Sequence, residues 1–229
     1  MKGGENTMAY SNLHSPKEHR RRKSKWLRRI AIFTVCVFLW SVLGFQARCA
    51  GIRRQVLRLH IIANSDSEND QRAKLYIRDK LLQAGADLFD GSIDAACAEA
   101  EITPRIPALE ACARKSLKEL GLHYPVKVTV GEEYFGTRTY EEAGITLPAG
   151  RYRALRVILG KGEGRNWWCV MFPPLCLPAA RPRNAVSLDA ILTNGQLRIV
   201  KCNPKYEIRF KLVELWEEIK ERFDKLREQ

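Results

Sequence analysis

None of the seven cysteines forms a Cys-x-x-Cys pair, which argues against a zinc ribbon or a thioredoxin-type redox site. There is no internal repeat and no low-complexity segment, so no repeat architecture organises the chain. No glycine-rich loop opens a helix. Gly160-x-Gly162-x-Gly164 joins two strand-like runs, whereas a phosphate cradle needs a helix N-terminus behind it; the run therefore reads as a hairpin turn. No serine sits in a nucleophile elbow. The acidic run Asp66-Ser67-Glu68-Asn69-Asp70 lacks the glycine turn and terminal glutamate of a calcium loop, and helix capping explains it more economically. These gaps lead us to expect no catalytic residue, no cofactor and no metal.

What is present is enough for a core: 45% hydrophobic and 28% charged residues are globular proportions. The net charge of +13 is unevenly placed, because residues 1–29 carry nine Lys/Arg against two Asp/Glu. The remaining charges are mixed, without a basic stripe interleaved with aromatics, so nucleic acid is not an expected partner. Residues 1–25 read as a basic cytoplasmic tail, expected to be disordered. An apolar run follows, with no charge from Ile30 to Ala47. A basic segment before an apolar one is an export signal, and the basic flank keeps that end in the cytoplasm. Residues 26–49 are therefore expected to be a signal peptide or signal anchor, meeting the membrane through 26–48. Ala47-Arg48-Cys49 before Ala50 partly satisfies a signal-peptidase site, as does Ala50 before Gly51, so a cleaved or cleavable signal is expected.

The organising stretch of the remainder is Leu57 to Asp79. An apolar run reads as a strand, Asp66 or Ser67 as an N-cap, and Ala73, Ile77 and Leu81 as one buried helical face. A second helical region, about 92–120, is split at Thr103-Pro104-Arg105-Ile106-Pro107. Its second half should bury Leu109, Cys112, Ala113, Leu117 and Leu120. Strands are expected at 54–63, 126–131, 152–159 and 166–172, with a loop at 136–150 and the last two strands paired as a hairpin. Alternation in the last strand puts Trp167, Cys169 and Met171 on one face and Trp168, Val170 and Phe172 on the other. It reads as a central strand, with Cys169 as a small buried hydrophobe. Thr193-Asn194-Gly195 is either a hairpin turn or a helix boundary, and residues 193–212 stay open between strand and helix. From Asn203-Pro204 onward a helix is favoured, with Ile208, Leu212, Leu215, Ile219 and Phe223 recurring at helical spacing. The expected fold is α+β. A small, mostly antiparallel sheet has helices largely on one face, within an exported domain at 52–229.

Two sets of chemistry-bearing residues remain. Trp167-Trp168-Cys169 with Cys176 resembles a cysteine-enzyme site, but His60 and His123 are the only histidines the exported part offers it. Cys97, Cys112, Cys169, Cys176 and Cys202 are an odd number, and Cys169 could bridge Cys176 after export. His60, Asn64, Asp66, Asp70 and Arg78 cluster around the strand-to-helix junction. They are the candidate partner-binding residues, because a short polar loop between rigid elements suits recognition. A hydrolase using His60 with Asp66 or Asp70 is the alternative, as is a non-catalytic wall- or membrane-associated domain.

Several motifs carry a family resemblance. They are Leu57-Arg58-Leu59-His60-Ile61-Ile62-Ala63-Asn64-Ser65-Asp66-Ser67 with Asp70-Gln71, Lys74 and Arg78-Asp79; Leu147-Pro148-Ala149-Gly150-Arg151-Tyr152; Ala154-Leu155-Arg156-Val157; Gly160 to Gly164; and Asn166 to Cys176. The chain resembles the stage II sporulation protein R family. The resemblance implies a non-catalytic signalling protein exported from the forespore into the space between forespore and mother-cell membranes. There it would activate a membrane-embedded aspartic protease that processes pro-sigma-E.

Overall fold

The computed structural model describes residues 16–84, 94–175, 187–201 and 206–227. The chain divides into two units, Met1–Phe45 and Gln46–Gln229. Helix α1 (Pro16–Gln55) begins in the first and ends in the second. Its stretch Lys25–Gln55 is long and apolar enough to cross a membrane. Residues 16–25, expected to be disordered, are helical. The only proline there is Pro16, at the first helical position, where its missing N–H is not needed.

The second unit continues with β1 (Leu57–Ile62), α2 (Glu68–Ala84), α3 (Ala95–Ile102), α4 (Ile106–Glu119) and β2 (Val126–Phe135). Then come β3 (Arg138–Tyr140), β4 (Ile145–Leu147), β5 (Gly150–Leu159) and β6 (Asn166–Phe172). The last elements are α5 (Leu188–Ile191), α6 (Asn194–Val200) and α7 (Glu207–Arg227). The fold is α+β, with a mostly antiparallel four-stranded sheet in the order β2-β5-β1-β6. β1 runs parallel to β5 and antiparallel to β6, and β2 lies antiparallel along the whole of β5, from Val126 opposite Leu159 to Phe135 opposite Gly150.

β1 is central, and all six of its residues are buried, as a continuous apolar run demands. Leu57, Leu59 and Ile61 face α2, α3 and α4, packing with Ala73, Ile77, Leu81, Ile102, Leu109 and Leu117 in one core. Burying a Leu or Ile side chain contributes roughly 1.5–3 kcal/mol, so these strand residues dominate the stability of that face. The split expected between α3 and α4 is present, as a 3-10 turn at Thr103–Arg105. Asp94 caps α3 by accepting the Cys97 N–H at 2.8 Å. Leu120, expected in the core, is 43% exposed because α4 ends at Glu119.

Five further expectations are corrected. β5 and β6 are not a paired hairpin: β1 lies between them, and the six-residue link passes over its end. β6 is consequently an edge strand, not a central one. The first strand starts at Leu57 and not at residue 54, since α1 continues to Gln55. A register shift at Leu57/Arg58 sets Phe172 opposite Leu57 and Val170 opposite Arg58, which leaves Met171 as the extra residue. Phe172 thereby joins Cys169 in the helix-side core. Within the expected loop 136–150, β3 and β4 form a two-stranded sheet, Arg138 opposite Leu147. Thr193 proves to be a helix boundary, capping α6 in a reciprocal box with Gln196. The Asn203-Pro204 cap and Cys176 lie outside the described residues.

Candidate functional site

At the end of β1 the chain turns through Ala63–Ser67 into α2, and Ser67, not Asp66, is the cap. Its hydroxyl accepts the Asp70 N–H at 3.2 Å, and its carbonyl accepts from Gln71 N at 3.0 Å. Asp70 is 5% exposed. It accepts hydrogen bonds from Ser65 Oγ (2.6 Å), Asn64 Nδ2 (2.9 Å) and Tyr124 Oη (3.1 Å). Burial pushes its carboxyl up, but the bonds from Ser65, Asn64, Tyr124 and Ser67 together outweigh that and hold it below the ordinary value. Burial and the carboxylate of Asp70 push the Tyr124 phenol above its ordinary value.

The link between β5 and β6 is bound onto this turn. Gly164 N donates to Ala63 O (2.9 Å), Glu163 N to Asn64 O (3.2 Å) and Lys161 N to Asn64 Oδ1 (3.0 Å). Arg165 N donates to Asp66 Oδ1 at 2.7 Å, and the buried Lys74 donates to Arg165 O at 2.9 Å. The glycines make this approach possible. A Cβ on Gly164 would stand 2.2 Å from Ser65 O, and one on Gly160 2.0 Å from Asn64 Oδ1. Gly160 also holds a φ of +57°. The turn and the link are therefore one interlocked body. Its outer rim carries the exposed side chains of Asp66, Glu68, Asn69, Lys161, Glu163 and Arg165.

A second cluster lies on the opposite sheet face, and it holds His60. This residue sits inside β1 and is 3% exposed. Its Nδ1 lies 2.8 Å from Glu133 Oε1 and its Nε2 2.9 Å from Asn166 Oδ1, while its ring stacks on Trp168 with centroids 3.7 Å apart. Beside it Arg58 is fully buried. Its guanidinium lies 4.0 Å from the Phe135 ring centroid and 4.9 Å from that of Tyr152, and it donates to Tyr140 Oη. Of the five residues expected to gather at the junction, the structure thus brings together Asn64, Asp66 and Asp70. Arg78 is further along α2, paired with Asp79 at 2.6 Å and lying over the Trp167 ring at 4.4 Å. His60 is paired with neither Asp66 nor Asp70. Cys169 is disulfide-bonded, so it is neither a free thiol nor a simple hydrophobe.

A sequence profile for the family described as Stage II sporulation protein R (spore_II_R) matches residues 53–181, more than half of the chain. The chain belongs to the stage II sporulation protein R family. The "Stage II sporulation protein R" of Bacillus subtilis (strain 168) is 36% identical over 122 residues, 53% of this chain and 54% of the relative. The chain thus spans about half the length of that relative. No solved structure matches. Family membership implies a role in sporulation. The matched region holds the junction, the glycine link and both sheet faces, and it stops short of α6 and α7.

Residue reasoning missed the partners that make the junction rigid: Lys74, Tyr124, Lys161 and Arg165. The signal was in the glycines, since closely spaced glycines mark places where two backbones meet. His60 was missed in a different way. Its partners, Glu133 and Asn166, are 73 and 106 residues away in sequence.

Proposed function

We propose that this chain is a non-catalytic sporulation signal, exported from the forespore, that activates the mother-cell membrane aspartic protease processing pro-sigma-E. The observation that carries the reading is the interlocked junction. It holds a charged rim on a rigid base inside the family-matched region, which is how a scaffold presents a recognition surface. In this reading Asp66, Lys161 and Glu163 meet the protease, while Asn64 and Asp70 hold the rim in place. The hydrolase alternative is not favoured. Both ring nitrogens of His60 are already taken by Glu133 and Asn166, and its face is covered by Trp168.

Export is supported by the apolar stretch Lys25–Gln55 and by the disulfide at Cys169, which fits an oxidising compartment. Retention as an anchor is favoured over cleavage after Cys49. Cys49, in the second unit, is fully buried, so a cut there would remove a packed residue. The test is deletion of the chain in a sporulating cell that still makes the protease. Pro-sigma-E should stay unprocessed, and the full chain should restore processing and fractionate with membranes. Normal processing in the deletion strain overturns the reading.

A further inference from the structure

Helix α7 buries one face and leaves another bare. Phe210 and Val213 are buried, Glu217 pairs with Arg53 at 3.2 Å, and Glu221 pairs with Arg151 at 3.0 Å. The outer face carries Leu212, Leu215, Trp216, Ile219, Phe223 and Leu226, a continuous stripe at helical spacing. Trp216 is 61%, Phe223 64% and Leu226 69% exposed. At 3.6 residues per turn, exposed Lys220 and Arg227 fall along one margin of the stripe and exposed Lys211 and Arg222 along the other. Glu214, Glu217 and Glu221 fall on the domain side; Glu218 and Asp224 lie beyond the cations. The sorting is therefore three-fold: acids inward, apolar groups outward, cations at the boundary.

We infer that this face of α7 lies in the interface of an anionic lipid bilayer. A helix with Trp, Phe and Leu on one side and Lys/Arg at the boundary sinks its apolar face to the headgroup–acyl level while the cations reach the phosphates. A second copy of the chain fits less well, because a helix-pair seam is flanked by charges of both signs and these margins are basic. Membrane proximity is independently available. Gln46, where the second unit begins, precedes by two helical turns the Arg53 that pairs with α7, and the same chain carries the apolar stretch Lys25–Gln55.

The test uses the full chain in nanodiscs of phosphatidylcholine alone or mixed with phosphatidylglycerol, with brominated acyl chains as depth quenchers. The chain has five tryptophans, so the Trp216 signal is taken as wild type minus Trp216→Phe. Roughly half or more of that emission should be quenched in the anionic discs, as expected for a face ~5–10 Å into the boundary, with less quenching in phosphatidylcholine. High salt, or reversal of Lys211, Lys220, Arg222 and Arg227 to Glu, should remove the difference between the two lipids while circular dichroism stays unchanged. Trp216 emission unquenched in both lipids overturns the inference. So does a signal that changes only when the chain dimerises, or only on addition of a membrane protein.

Discussion

In the β1–α2 junction, Asn64, Ser65 and Asp70 are polar and turn inward; in α7, Leu215, Trp216 and Phe223 are apolar and turn outward. Each arrangement has a local cause. The junction gives each of these three side chains a partner within 3.1 Å, so little of their desolvation is left uncompensated. In α7 the Arg53 and Arg151 ion pairs bind the acidic face to the domain, and Phe210 and Val213 complete the packing beneath it. The second apolar stripe is left without a place in the core. Polarity alone therefore does not tell which surface meets a partner. In the reading proposed above, the saturated polar loop serves as a base whose exposed rim makes the contact, and the unsaturated apolar face of α7 is a contact in itself.

The sharpest way to break this contrast is to force the glycine link off the junction. Gly164→Ala should cost about 3 kcal/mol or more, because the Ser65 carbonyl 2.2 Å away is backbone and cannot swing aside. Gly131→Ala, with nothing within 4 Å of its new Cβ, should stay within about 0.5 kcal/mol in the same urea denaturation. Equal losses at both positions would mean the link is not locked.

Asp70→Asn should cost about 2–3 kcal/mol, since a buried carboxylate accepting from Ser65, Asn64 and Tyr124 is replaced by an amide that must reorient. The loss should depend on pH. The folded value of Asp70 is lowered from 3.8, so its stabilisation is present above that value and lost as the pH falls through the folded one. The gap between wild type and Asp70→Asn should therefore be flat near neutrality and narrow in acid. A gap that widens in acid would contradict the assignment.

Smaller effects complete the series. Ser67→Ala should cost ~1 kcal/mol as a lost cap, whereas Asp66→Ala should cost less, because Asp66 does not cap α2. Leu215→Ser and Phe223→Ser should change the unfolding free energy by no more than about 0.5 kcal/mol, although both remove large apolar groups. A loss of core size at either site would place that stripe inside the fold.

The parts legible from residues alone were those fixed by local chemistry. The apolar run of β1, the Ala73-Ile77-Leu81 face and the proline-split helices follow from spacing and from backbone restrictions. The α+β class followed from them. The insertion of β1 between β5 and β6 was not legible, because a six-residue link suits both a hairpin and a crossing over one strand. Which hydrogen bonds Gly160 and Gly164 permit depends on that strand order. At the candidate site Asn64, Asp66 and Asp70 lie together, but the bonds that tie Asn64 and Asp66 to the glycine link come from residues almost a hundred positions away. His60 shared their sequence neighbourhood but not their sheet face.

The most direct measurement is an immunoblot of pro-sigma-E in sporulating cells carrying Lys161→Glu together with Glu163→Lys. Both side chains are exposed on the rim, and their backbone bonds to Asn64 are untouched by the exchange. The account predicts a variant made, exported and folded at wild-type level, with pro-sigma-E left unprocessed. Normal processing by that folded variant would contradict the claim that this rim delivers the signal.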